Sequence, residues 1–302
     1  MCGIAGVLLR GEGPVGRLLI SMMEALQHRG MDSAGVAIYN NAILNAEEYI
    51  LHTFTRDVMD ATNSVSEVIT KAGGTVINLQ LNTVNGYGFD KYFVKTDKDN
   101  LKAIVRRVKE TGVSKVLSAG HCMEIIKDVC SVEEFNERFK VSDMEGTHGI
   151  GHVRFSTESQ VDLFHAHPFQ AFDYPDIAVV HNGQITNYYK MREKMERKGH
   201  LFDTENDSEL IVHYVADKLE QGINLQDALQ ESVGDLDGPF SYIISTSEAI
   251  GVARDKLGLR PAIVLENEEL FAVASEESAL RSLGSSGVIY NLKPGEAVTW
   301  QK

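Results

Sequence analysis

The sequence predicts an α+β protein in which two sheets are flanked by helices, with a subdomain of mixed α/β type inserted at about 41–147. Three observations carry this. After Thr147, short apolar runs recur at close spacing, parted by turn residues, which favours antiparallel pairing. The helical patterns fall at separate points in the order, as in an α+β arrangement. Between Asn41 and Thr147 polar and charged segments alternate with short strands, the texture of a stretch with its own organisation.

In chain order, "GIAGVLL" reads as a buried strand. Pro14 to His28 follows as a helix, with Leu18, Leu19, Met22, Met23 and Leu26 on one face and Pro14 suited to its first turn. "SAGVAIY" returns as a strand. The insert holds a strand at "TVINLQL", a helix through "DNLKAIVRRVKETG", and a helix start signalled by Ser131-x-x-Glu134. Beyond it come strands at "GIGHVRFST" and "IAVVHNG", then helices over about Thr186–Gly199, Asp207–Gln221 and Leu225–Ser232. "FSYIIST", "AIGVARD", "PAIVLE" and "LFAVASE" complete the strand set.

Composition narrows the function classes. The 302 residues suffice for one large domain or two ordinary ones. A net charge of −14 repels phosphate backbones and anionic lipid, so neither nucleic acid nor a membrane surface is an expected partner. No run is long and apolar enough to span a bilayer, and no basic-then-apolar leader opens the chain. The three cysteines, Cys2, Cys122 and Cys130, show no paired spacing, which fits a reducing cytoplasm. No CxxC occurs, and His121, Cys122, Cys130, His148 and His152 lack the tight ligand pairs of a structural zinc site, so no metal is expected. "GEGPVG" satisfies the G-x-G-x-x-G string, yet the second strand ends Tyr39-Asn40-Asn41 without the acid a dinucleotide ribose needs. It reads as a glycine-rich connector, and no cofactor is expected in this chain.

Six motifs remain: "CGIAG" at 2–6, "QHRGMDSAG" at 27–35, "GHVRFST" at 151–157, "HAHPF" at 165–169, "VVHNGQITN" at 179–187 and "TENDSE" at 204–209. Singly each has a structural use: Asn182-Gly183 is a turn pair and Asp207 a helix N-cap. Together, behind a cysteine at position two, they resemble class II glutamine amidotransferases, whose glutaminase domain is an N-terminal nucleophile hydrolase. The resemblance spans nearly the whole chain, 2–302, and implies a four-layer αββα fold enlarged by the 41–147 insert.

That resemblance implies roles, each chemically sensible. Cys2, exposed by removal of Met1, attacks the amide of L-glutamine with its own α-amine as base; such an amine titrates at about 7.7–8.0, near operating pH. Asn182 and Gly183 match the oxyanion hole. Arg154 matches the carboxylate-binding arginine, Asp207 the ammonium-binding acid, and Thr157 a further substrate contact. Arg29 and Gly30 look like supports for the nucleophile, and His167 lines or orders the pocket. The sequence is most similar to the separate amidotransferase subunit of archaeal-type glutamate synthase. Its ammonia then goes to a partner synthase, with flavin and iron–sulfur clusters on that partner. The alternatives are a subunit of the N-methylglutamate synthase type and a non-catalytic regulatory subunit that keeps the fold.

Overall fold

The computed structural model describes residues 2–41, 44–56, 61–155, 162–172 and 174–302. The chain forms two units, Met1–Asn40 with Ile126–Lys302, and Asn41–Ile125.

The first unit opens with β1 (Gly3–Gly13), α1 (Val15–Ala25) and β2 (Ser33–Tyr39). β1 runs past its apolar stretch as far as Gly13, so "GEGPVG" is a strand end and a helix start rather than a loop. Gly16 is small for a reason: a Cβ there would lie 1.9 Å from the Val141 carbonyl oxygen, against which α1 packs.

The second unit contains β3 (Glu48–Thr55), α2 (Ala61–Lys71), β4 (Thr75–Gln80), β5 (Thr83–Val84), β6 (Tyr87–Lys95), α3 (Lys98–Thr111) and β7 (Lys115–Gly120). Its sheet runs β4-β6-β3-β7, with β5 on β6. In α3, Leu101, Ile104, Val105 and Val108 form the buried stripe. Asp97 caps its start by accepting from Asn100 N at 2.8 Å, and Gly112 ends it in the left-handed conformation.

The chain returns to the first unit within β8 (Met123–Asp128), followed by α4 (Val132–Phe139), β9 (Gly146–Arg154), β10 (Phe169–Gln170) and β11 (Ala178–Gly183). Next come α5 (Tyr188–Arg197), α6 (Asp207–Glu220), α7 (Leu225–Asp235), β12 (Phe240–Ser245) and β13 (Ala249–Arg254). The chain finishes with β14 (Ile263–Glu266), β15 (Leu270–Ala274), α8 (Glu277–Arg281), β16 (Val288–Asn291) and β17 (Ala297–Gln301).

One sheet has the order β16-β14-β15-β1-β9-β2-β8, the other β10-β11-β12-β13-β17. β1 pairs antiparallel with β15 and β9, and β9 with β2, in a register that sets Ser33 opposite Arg154. α1, α4 and α8 cover the first sheet, burying Leu19, Met22, Phe135 and Leu280 in one cluster. α5, α6 and α7 cover the second through Met195, Leu210, Tyr214 and Leu229. Each such side chain removed from water is worth about 1.5–3 kcal/mol. The inner faces of the sheets meet where Tyr39 Oη donates to Ser245 O at 3.0 Å and Phe271 stacks on Trp300 at 3.6 Å. The result is the four-layer αββα order.

The second unit ends at Ile125, short of the 147 boundary expected from texture. The reason is burial. Val132 and Phe135 of α4 lie fully inside the cluster beneath α1, which makes the polar-looking stretch after Ile125 part of the first unit. Ser131 caps α4 as its spacing predicts, accepting from Glu134 N at 3.3 Å. Among the described residues no helix is long and apolar enough to cross a membrane.

Candidate active site

Cys2 sits immediately before β1, in the middle of the seven-stranded sheet. Its carbonyl accepts from Arg29 Nε at 2.9 Å, and the Arg29 guanidinium is held in turn by Glu276 at 2.5 Å. Arg29 therefore fixes the main chain of Cys2 rather than facing the cleft. The thiol is half-buried and points at the Phe155 carbonyl oxygen, 3.7 Å away. Burial pushes the thiol up from its ordinary pKa, while the Arg154 and Arg29 cations pull against it.

Gly30 lies behind the same wall. A Cβ on it would come within 2.3 Å of the Arg154 carbonyl carbon, so only glycine lets this turn close on the end of β9. Arg154 is the last residue of β9 and is 3% exposed; burial disfavours its charge and the nearby Cys2 and Asp162 support it.

Asn182 and Gly183 end β11. Gly183 has φ +145°, and a Cβ there would strike Pro239 O at 2.1 Å, so the position is closed to other residues twice over. Asn182 is 2% exposed, and among the described residues its Nδ2 has no hydrogen-bond partner. A buried amide donor left unpaired is costly and calls for an explanation.

Asp207 occupies the first turn of α6, but the cap is Asn206, whose side chain accepts from Ser208 N at 3.0 Å. That frees the Asp207 carboxylate for other work. It accepts from Ile185 N at 2.8 Å and lies 3.6 Å from His181 Nδ1. Burial opposes its charge, yet His181 and these hydrogen bonds hold the carboxyl below the usual carboxylate range.

Three histidines back this end. Ser208 Oγ bridges His167 Nε2 at 2.7 Å and His181 Nδ1 at 2.9 Å. His152 stacks on His167 at 3.9 Å and bonds His181 O at 3.1 Å. Burial depresses His152 to about 3 and His167 well below its ordinary value, so both rings are neutral at physiological pH. His152, His181 and Ser208 lie inside the recognised motifs, but the sequence assigned them no role. The available signal was their placement beside Arg154, Asn182 and Asp207.

A cleft of about 810 Å³ gathers Cys2, Arg154, His167, Gly183 and Asp207 along its walls, with Tyr188, Tyr189 and Phe202 toward α5 and the loop after it. Thr157 lies outside the described residues. Among the described residues, no three His, Cys, Asp or Glu side chains are arranged to hold a metal ion. Cys130 is buried, with its thiol pushed up to about 12, and the His148 ring stacks on Tyr39. The cleft thus offers the Cys2 thiol, the guanidinium groups of Arg154 and Arg192, the carboxylates of Asp203, Glu205 and Asp207, and a forced glycine at 183. That set matches a small zwitterion carrying an electrophilic carbonyl.

Comparison with known proteins agrees with this chemistry. A family model described as a glutamine amidotransferase domain matches residues 152–282. A Methanothermobacter thermautotrophicus protein described as a glutamine amidotransferase is 45% identical over 100% of both chains. The glutamine amidotransferase-like protein GlxB of Rhizobium meliloti is 30% identical over 99% of this chain and 98% of its own. Among solved structures, the glutamine phosphoribosylpyrophosphate amidotransferase of B. subtilis superposes with a TM-score of 0.63 at 19% identity, which shows a shared fold. This chain is covered over 98% there and spans 46% of that larger chain.

Proposed function

The chain belongs to the glutamine amidotransferases, and from that premise we propose that it hydrolyses L-glutamine at Cys2 and passes the ammonia to a synthase partner. Removal of Met1 gives Cys2 a free α-amine, which takes the thiol proton as sulfur attacks the carboxamide carbon. The tetrahedral oxyanion receives hydrogen bonds from Asn182 Nδ2 and Gly183 N. Collapse expels ammonia, with the amine returning its proton to the leaving nitrogen, and leaves a glutamyl thioester. Water then cleaves the thioester to glutamate and restores the thiol. Arg154 takes the substrate α-carboxylate, Asp207 its α-ammonium, and Thr157 a further contact. Arg29 holds the nucleophile's main chain, Gly30 lets the turn beside it close on Arg154, and His167 orders the pocket.

The observation that carries this reading is the buried Nδ2 of Asn182, without a partner among the described residues, next to the forced glycine at 183. A donor that the fold leaves unsatisfied suits an oxygen present only during reaction. The acceptor we favour is a glutamate synthase of the multi-subunit kind, cytoplasmic, with flavin and iron–sulfur clusters on the partner chain. Support for it is the motif set and the presence of the second unit, 41–125, as an enlargement of the minimal domain.

The test is intact mass before and after a glutamine-like diazo ketone, together with Cys2→Ser. We expect a protein that begins at Cys2, one label on that residue, and no turnover in the variant. Full activity with Met1 retained, or in Cys2→Ser, refutes the mechanism. Co-purification with flavoprotein and iron–sulfur chains, with turnover rising on assembly, tests the partner; a lone, fully active chain refutes it.

A further inference from the structure

Lys127 stands on β8 where the strand's alternation calls for an apolar side chain. Met123, Ile125 and Lys127 are its buried positions, and Lys127 is 6% exposed. Burying an ammonium is costly unless hydrogen bonds compensate. Nζ donates to Ala166 O at 2.7 Å and Pro168 O at 3.2 Å, and lies 5.0 Å from the Phe169 ring centroid. These two carbonyls flank His167. The described residues 162–168 form no strand, and Pro168 has no N–H, so the sheet gives this stretch little hold of its own. β2 makes room for the arrangement: a Cβ on Gly35 would meet His167 O at 2.1 Å and Lys127 Cβ at 2.7 Å.

We propose that Lys127 is a positioning residue of the glutamine site, holding the main chain on both sides of His167 and thereby setting the Asp207 end of the cleft. The path is short. His167 bonds Ser208, Ser208 bonds His181, and His181 faces the Asp207 carboxylate. The inference rests on the proposed function, since it assigns Asp207 to the substrate ammonium. Burial lowers the Lys127 pKa to about 8, with Glu209, Asp203 and Asp162 supporting the charge and Arg154 opposing it.

The test places Lys127→Met in a Cys2→Ser background and measures L-glutamine binding by calorimetry, independent of turnover. We expect Kd to rise roughly tenfold, about 1.4 kcal/mol of lost binding. With Cys2 intact, KM should rise by the same factor while kcat at saturation changes much less. Lys127→Arg, which keeps the donors, should recover part of the affinity. Glutaramate, which lacks the α-ammonium, should inhibit wild type and Lys127→Met equally. If Lys127→Met does not fold, Lys127→Gln is read in the same way. Unchanged Kd in folded variants, or an equal loss toward glutaramate, overturns the positioning role while leaving the glutaminase reading intact. No glutamine binding in Cys2→Ser alone overturns both.

Discussion

Replacing Asn182 with alanine should separate catalysis from stability in an unusual direction. The Nδ2 group is buried and has no partner among the described residues, and a donor in that state costs about 1–3 kcal/mol of lost hydration. Deleting it removes that cost, which offsets the packing lost when a 2% exposed side chain is truncated. The net change in folding free energy should therefore stay within about 1 kcal/mol, a Tm shift of a few degrees. Catalysis has no such offset. One preorganised oxyanion donor is worth about 3–4 kcal/mol in the transition state, so kcat should fall roughly 10²–10³-fold. Glutamate release at saturating glutamine and scanning calorimetry on the same preparation give both numbers. A loss confined to KM would assign Asn182 to ground-state binding instead. An unchanged kcat, or a loss that tracks a collapse of Tm, refutes the oxyanion reasoning outright.

Other expectations follow from the same geometry. Arg154→Lys keeps the charge but loses the planar fork, so KM for glutamine should rise even from this mild change, and unchanged steady-state KM refutes the carboxylate assignment. Asp207→Asn keeps an acceptor for Ile185 N–H but loses the counter-charge, and should raise KM for glutamine in a steady-state assay. Gly183→Ala should fail to give stable protein, because it demands φ +145° of an L-residue and drives Cβ to 2.1 Å from Pro239 O; a well-folded, active variant contradicts that. Stability should fall on acidification from pH 6.5 toward 4. His52 and His148 are held down to about 4 and His152 to about 3, so over that range the unfolded chain binds protons that the folded one refuses. Each imidazole contributes a slope of up to about 1.4 kcal/mol per pH unit, and a urea midpoint flat between pH 6.5 and 4.5 refutes this.

Much of the fold and part of the site could be read directly from the sequence, because the physics that sets them is local. The i, i+3, i+4 stripes of α1 and α3, the Ser131 cap of α4 and the apolar runs of β1, β2 and β11 follow from periodicity and capping alone. The nucleophile candidate at position two and the Asn182-Gly183 pair came instead from the resemblance that the joint motif set carries. What the sequence left open depends on residues far apart in the chain. The second unit stops at Ile125 and not near 147 because Phe135 is buried beneath a helix more than a hundred residues earlier, a contact no window of local pattern contains. Asn206, not Asp207, caps α6, a choice between two good capping residues that three-dimensional demands on the carboxylate resolve. Lys127, His152, His181 and Ser208 were invisible as site residues, and so were their links to the expected His167, since only the packing of β8, β9, β11 and α6 brings their polar atoms within bonding distance. Local sequence fixes which segments become strands and helices and which residues can do the chemistry. The tertiary structure decides which polar groups are buried together, and burial sets their charge, their partners and hence their role.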